Sequence, residues 1–152
     1  MAERDCDLCQ IVSGEKPAMT FFEYGTFKAI LAKQPTLLGH SIIFPNRHGA
    51  INFTDLTTAE KTDFQHVWGL VEIALLEILK KDRSVNSKTG GFIRDHFHLH
   101  IYPLEYNAPW NTITELFENR YCGSTTPNAE TQLLLQLRNR FNYAPRSNQP
   151  TR

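Results

Sequence analysis

The sequence predicts an α+β domain, and three patterns carry that prediction. Residues 19–45 hold short stretches rich in apolar and β-branched side chains broken by turn residues, which is strand patterning. Residues 57–81 hold one long run with helical spacing. The stretch Asp95-His96-Phe97-His98-Leu99-His100-Ile101-Tyr102-Pro103 then alternates strictly, three histidines against Phe97, Leu99 and Ile101. Successive side chains on a strand point to opposite faces, so the apolar set enters a core and the imidazoles form one row on the other face, with Arg94 next in line.

From the start of the chain, Cys6-Asp7-Leu8-Cys9 is a C-x2-C pair: a metal pair, a redox pair, or two incidental neighbours. The redox reading wants a strand-to-helix setting, and residues 1–5 do not read as a strand. The zinc reading needs two further ligands, since structural sites are four-coordinate. Residues 8–13 predict a short helix stopped by Gly14, and residues 19–23 and 26–31 a hairpin around Tyr24-Gly25. After Pro35 and Gly39, His40-Ser41-Ile42-Ile43-Phe44-Pro45 reads as a short apolar strand with a histidine at its entrance. Asn46-Arg47-His48-Gly49 leaves it as a loop.

Thr57-Thr58-Ala59-Glu60 has the form of a capping box, in which Thr57 and Glu60 satisfy free amides at a helix start. Phe64, Val67, Trp68, Val71, Leu75, Ile78 and Leu79 follow at helical spacing, giving an amphipathic helix to about residue 81. His66 sits off that stripe, on the surface. Ser84-Val85-Asn86 predicts a short strand. Residues 87–91 form a polar turn in which Gly90-Gly91 either lets the backbone approach a ligand or simply closes a hairpin. Beyond Pro103 come a loop at 107–110, helices at 112–120 and 129–141, and a polar, frayed end from 144 to 152.

A chain of 152 residues is the size of one domain, and its 41% hydrophobic and 21% charged content is ordinary for a globular protein. Its formal net charge is zero, so neither a nucleic-acid backbone nor an anionic membrane is favoured as the main partner. No apolar run approaches membrane-spanning length, and the first residues lack the apolar segment of a signal peptide. The expected compartment is the cytoplasm, where Cys6, Cys9 and Cys122 stay reduced. Cys122 is then structural or free. Neighbours in the histidine row sit roughly 6.5–7 Å apart. One metal ion therefore bridges two of them, or the row lines a substrate site in which one ring attacks while others orient it and pass protons.

His96-Phe97-His98-Leu99-His100-Ile101-Tyr102 resembles the His-φ-His-φ-His-φ-φ signature of the histidine triad (HIT) family, with φ apolar. Gly39-His40 before an apolar strand is similar to that family's earlier histidine. Cys6-x-x-Cys9 followed by Gln10-Ile11-Val12-Ser13-Gly14-Glu15 resembles the start of its zinc-containing bacterial members. The resemblance spans about residues 5–105. It implies an antiparallel sheet of about five strands with a long helix, usually dimerised through helix and edge strand. A HIT domain with its C-x2-C knuckle is then expected at 1–105, and the pattern beyond it reads as a helical extension packed on the same domain at 106–143 and a tail at 144–152. Known members hydrolyse or transfer nucleotidyl groups from dinucleoside polyphosphates or phosphoramidates. By position, the resemblance implies His98 as the nucleophile, with His100 and His40 orienting the site and handling protons. No metal is required for that chemistry. Asn86 and the amides around Gly90 and Gly91 would hold phosphate. Cys6, Cys9, His48 and His96 would form a closed structural zinc site.

Two departures from the family pattern bear on substrate. Where many members carry Gly-Gln-Ser or Gly-Gln-Thr, this chain reads Gly91-Phe92-Ile93-Arg94-Asp95, leaving Arg94 as a replacement charge. Eight residues before His40, where members place an Asp or Asn on the ribose hydroxyls, stands Ala32, with Lys33 beside it as an alternative phosphate contact. Losing that clamp weakens nucleoside recognition by roughly 1–3 kcal/mol if its partners are left unpaired. The expected function is nucleotide hydrolysis or nucleotidyl transfer on a small-molecule substrate by a homodimer, without a membrane or a stable nucleic-acid complex. A zinc-stabilised binding module with little turnover is the second reading. A catalytic zinc hydrolase is a weaker third, because the C-x2-C pair would close the coordination shell.

Overall fold

The computed structural model describes residues 5–88, 95–118 and 125–145. In order the elements are α1 (Asp7–Ser13), β1 (Met19–Tyr24), β2 (Phe27–Leu31), β3 (Ser41–Pro45), a 3-10 turn (Phe53–Asp55), α2 (Thr58–Leu79), β4 (Arg83–Ser87), β5 (Leu99–Leu104), α3 (Trp110–Phe117) and α4 (Pro127–Arg140). The five strands form one sheet in the order β1-β2-β3-β5-β4, and every neighbouring pair is antiparallel. This is the α+β architecture that the patterning and the resemblance imply.

Local chemistry explains most element ends. Gly14 stops α1 in the left-handed conformation, its N–H returning to the Ile11 carbonyl. The β1–β2 turn is held by the Asp63 carboxylate of α2, which accepts from the Thr26 N–H at 3.0 Å. The capping box at α2 is present as expected: the Glu60 N–H donates to Thr57 Oγ1, and the Thr57 N–H donates to the Glu60 carboxylate. Both C-terminal helices start two residues earlier than their periodicity suggests. Pro109 opens α3, and the Thr126 hydroxyl caps α4 before Pro127. The expected tail runs out of the described residues after 145, and Cys122 also lies outside them.

Both faces of the sheet are covered. On one, Phe27, Ala29, Leu31, Ile43, Leu99 and Ile101 pack with Phe64, Val67, Val71 and Leu75 of α2 and with Leu133 and Leu137 of α4. On the other, Ile30 and Phe44 pack with Cys6 and Leu8. Tyr102 and Leu104 lie there too, against Leu37 and against Ile113 and Leu116 of α3. This second cover changes the histidine row. The ladder begins at Leu99, so His96 and His98 belong to an irregular approach. The 49–50 backbone holds that approach through Gly49 N–H to the Asp95 carbonyl and Phe97 N–H to the Ala50 carbonyl. His96 and His98 are buried along with Phe97 and Leu99.

Candidate active site and metal centre

Two histidine groups meet on the α1 face of the sheet. In the first, Cys6 at the start of α1, Cys9 one turn on, His48 after β3 and His96 before β5 converge, and their ligating atoms all lie within 4.8 Å of one another. Cys9 Sγ is 3.2 Å from His48 Nδ1 and 3.3 Å from His96 Nδ1, and Cys6 Sγ is 3.5 Å from His96 Nδ1. A tetrahedral zinc with ordinary Zn–S and Zn–N bonds puts sulfur and nitrogen about 3.5 Å apart. The donors therefore already stand on the edges of such a tetrahedron. The His96 tautomer fits as well. His96 Nε2–H donates to the Pro45 carbonyl at 2.7 Å, which leaves the Nδ1 lone pair facing the thiols. Two thiols, Cys6 buried and Cys9 half-buried, with two imidazole nitrogens form a donor set suited to a soft tetrahedral ion.

His48 owes its place to the capping box. Glu60 is buried, and its carboxylate accepts from Arg47 Nε and Nη2, both at 2.9 Å. That pairing holds Glu60 down at about 2, with the Arg47 guanidinium as the main cause. One residue before His48, the start of α2 thus grips the loop.

The second group is His98, His100 and His40. His98 Nδ1–H donates to the His96 carbonyl at 2.8 Å, so its Nε2 keeps the lone pair, as an attacking imidazole requires. The His98 and His100 rings lie 5.1 Å apart. His40 Nε2 is 2.8 Å from His100 Nδ1, and the Thr36 N–H donates to His40 Nδ1 at 3.3 Å. The Tyr102 ring lies 4.4 Å from that of His40 and is nearly parallel to that of His100. Burial lowers the basicity of all three histidines, taking His40 to about 4 and His100, which also faces His40 and His98, to about 3.

Those depressed values fix a pH response. In the unfolded chain His40 and His100 titrate near 6.5, so below that pH the unfolded state binds protons the folded site refuses. Stability is full above pH 6.5 and falls as the pH drops toward 3–4. By pH 5 each ring costs on the order of 2 kcal/mol. Urea midpoints at pH 8 and pH 5 measure this, and equal midpoints would contradict the burial of the pair.

Gly39 seats His40. Its φ is +87°, and a Cβ there would stand 2.5 Å from Leu79 Cδ1 and 2.9 Å from Pro103 Cγ. Gly39→Ala therefore combines a left-handed backbone penalty of ~1–2 kcal/mol with overpacking of ~1–3 kcal/mol. The expected loss, roughly 2–5 kcal/mol by denaturant titration, comes with a displaced His40.

The substrate-holding residues inferred from sequence fare unevenly. Asn86 pairs in register with Ile101 and so faces α2, where its amide donates to Ser84; Ser87 is the β4 residue opposite His100. Lys33 is exposed and makes no hydrogen bond or ion pair among the described residues, because Ala32 takes the inward position with its N–H on the His40 carbonyl. Gly90, Gly91, Phe92, Ile93 and Arg94 lie outside the described residues. Thr36, Ser87 and Tyr102 were not singled out from sequence. Tyr102 alone carried a signal, standing two residues past His100 in the same row.

A five-stranded antiparallel sheet that sets H-x-H-x-H beside an earlier histidine defines a histidine triad fold. No protein-family model matches the chain. Among known proteins it is 29% identical over 102 residues to an uncharacterized HIT-like protein from Mycobacterium tuberculosis, covering 64% of this chain and 70% of that one. It is 30% identical over 98 residues to adenosine 5′-monophosphoramidase from Saccharomyces cerevisiae, covering 64% of this chain and 61% of that one. It is also 28% identical over 111 residues to an adenylylsulfatase from Arabidopsis thaliana, covering 66% and 53%. A hypothetical histidine triad nucleotide-binding protein from Sulfolobus tokodaii superposes with a TM-score of 0.71 at 23% identity, covering 90% of this chain and 92% of that one. A zinc-bound histidine triad family protein from Mycobacterium smegmatis gives 0.69 at 23% identity, covering 93% and 96%. The chain is thus similar to histidine triad proteins in sequence and shares their fold.

Proposed function

We propose that the protein is a nucleotide hydrolase or nucleotidyl transferase that opens a phosphoanhydride or phosphoramidate through a covalent intermediate on His98. The observation that carries this reading is the 2.8 Å bond from His98 Nδ1–H to the His96 carbonyl, which leaves Nε2 as a fixed, neutral nucleophile. Nε2 attacks phosphorus, and the electron pair of the breaking bond leaves with the leaving group. Water then attacks phosphorus, the pair of the N–P bond returns to Nε2, and the water proton passes to solvent. His100 and His40 orient the leaving side. Arg94, Gly90, Gly91, Asn86 and Lys33 were the expected phosphate contacts; Asn86 and Lys33 are withdrawn on their placement, and Ser87 takes the position beside His100. The relatives named as a phosphoramidase and an adenylylsulfatase support nucleotide chemistry of this kind.

In this reading Cys6, Cys9, His48 and His96 hold a structural zinc. The donor geometry and the zinc-bound Mycobacterium smegmatis relative support it. When bound, zinc ties α1 to the approach of β5 and is not used in the chemistry. Residues 1–105 carry the site and 106–143 close it. The packing of Ile113 and Leu116 on Tyr102, and of Leu133 and Leu137 in the main core, supports that division. No helix among the described residues is long and apolar enough to cross a membrane. Cys6 and Cys9 kept reduced as metal ligands suit a cytoplasmic homodimer acting on small-molecule nucleotides. Turnover of adenosine phosphoramidate and diadenosine polyphosphates by wild type and His98→Ala tests the proposal. A binding module without turnover, the reading favoured by Ala32, would leave both inert.

A further inference from the structure

The His40–His100 pair ends in a donor that holds its proton. A backbone N–H can only donate, so the Thr36 N–H at 3.3 Å makes His40 Nδ1 an acceptor. A neutral imidazole carries one proton, so that of His40 sits on Nε2 and is donated to His100 Nδ1 at 2.8 Å. His100 in turn carries its proton on Nε2, on the side away from His40. If His100 gave up that proton it would need another from His40, and His40 would need one from the Thr36 amide, which does not ionise near neutral pH. Placing an extra proton on the pair sets a donor against a donor at Thr36. The Thr36 hydroxyl, 3.5 Å from the same nitrogen, is at the outer limit of a hydrogen bond and offers little relief.

We propose that the Thr36 amide caps this pair so that it lends the leaving group a hydrogen bond but no proton, and that the site selects nucleotides whose leaving group departs as a stable anion. Resting on the His98 reading above, the preferred substrates are anhydrides of a nucleotide with phosphate, sulfate or a carboxylic acid. In these, Nε2 of His98 bonds to phosphorus, the P–O bond breaks, and the oxyanion keeps the electron pair without protonation. A phosphoramidate is disfavoured, because its amine must gain a proton as the P–N bond breaks. The burial that takes His40 to about 4 and His100 to about 3 supports the same neutral state. Thr36 is a positioning residue in this scheme, acting through His40 and His100.

The test compares kcat/KM for a nucleoside 5′-phosphosulfate and the matching phosphoramidate, each divided by its spontaneous rate at pH 7.5, taken as about neutral. General acid help is worth roughly 100- to 10,000-fold, so the phosphosulfate should lead by about 100-fold or more. Thr36→Pro, which removes the capping N–H, should narrow that lead. A lead under about tenfold overturns the selectivity. Because the variant can misfold, ring-nitrogen NMR of the wild type supplies a second readout. His40 and His100 should both be neutral with the proton on Nε2. A doubly protonated ring, or a proton on Nδ1 of His40, overturns the cap. A protein inert toward both substrates, or one in which His98→Ala is as active as wild type, overturns the His98 reading and the selectivity with it. The NMR result then judges the capped pair by itself.

Discussion

His98→Ala is expected to lower kcat by at least about 1,000-fold while binding of nucleotide changes little. Removing a member of a nucleophilic unit costs transition-state stabilisation far in excess of ground-state contact. The ring is buried and its Nδ1–H is tied to the His96 carbonyl, so no neighbouring imidazole replaces it without rebuilding that turn. His100 is unsuited to the role because its Nδ1 faces His40 and its Nε2 carries the proton. The truncation leaves a cavity, so the variant is measured below its denaturant midpoint. Single-turnover reaction with labelled nucleotide adds a direct readout: wild type should carry an acid-labile label on histidine and His98→Ala none. Activity within tenfold of wild type, or label retained by the variant, would remove His98 from the mechanism.

Withdrawing zinc is expected to cost stability on a comparable scale. If free zinc stands about a thousandfold above its Kd, binding to the folded state alone contributes about 4.1 kcal/mol. For a chain of this size that corresponds to a Tm lower by roughly 8–16 °C after chelation. Cys9→Ser should give a similar loss, because Cys9 Sγ faces both His48 and His96. Elemental analysis should find one zinc per chain in the wild type and less in the variant. With four protein donors closing the shell, as proposed, the metal should matter to activity only as far as the fold suffers. If a chelator abolished turnover while the denaturation profile stayed put, a metal-bound water would become the better mechanism. An unchanged Tm with no zinc in the protein would dismiss the site.

Much of the fold was legible because local rules agree with the tertiary outcome. Gly14 ends α1, Thr57 and Glu60 start α2, and the Phe64-to-Leu79 stripe is the face that packs on the sheet. What stayed open has a tertiary cause. Alternation in β5 correctly sent Phe97, Leu99 and Ile101 to one side, but alternation does not say whether the other side meets water. Here α1, α3 and the 36–38 loop cover it, so that His40, His96 and His98 are buried and His100 is half-buried. The face on which Asn86 stands was open for a related reason. Whether Asn86 or Ser87 stands across from His100 depends on strand register, and a shift of one residue exchanges the faces.

By itself the sequence determined which atoms are available: two thiols, five of the six imidazoles in the two clusters, and a spacing that puts His96, His98 and His100 on one side of a strand. Side-chain identity and period are local properties, and the division of these atoms into metal donors and a candidate nucleophile is what the family resemblance added to them. Only the tertiary structure decided what each ring can do. Each ring's proton follows from one partner, the Pro45 carbonyl for His96, the His96 carbonyl for His98, and the Thr36 amide, through His40, for His100. All three are backbone groups, two of them distant in the chain from the ring they govern, and backbone amides and carbonyls are the same in every sequence. Their positions emerge only when the chain is folded.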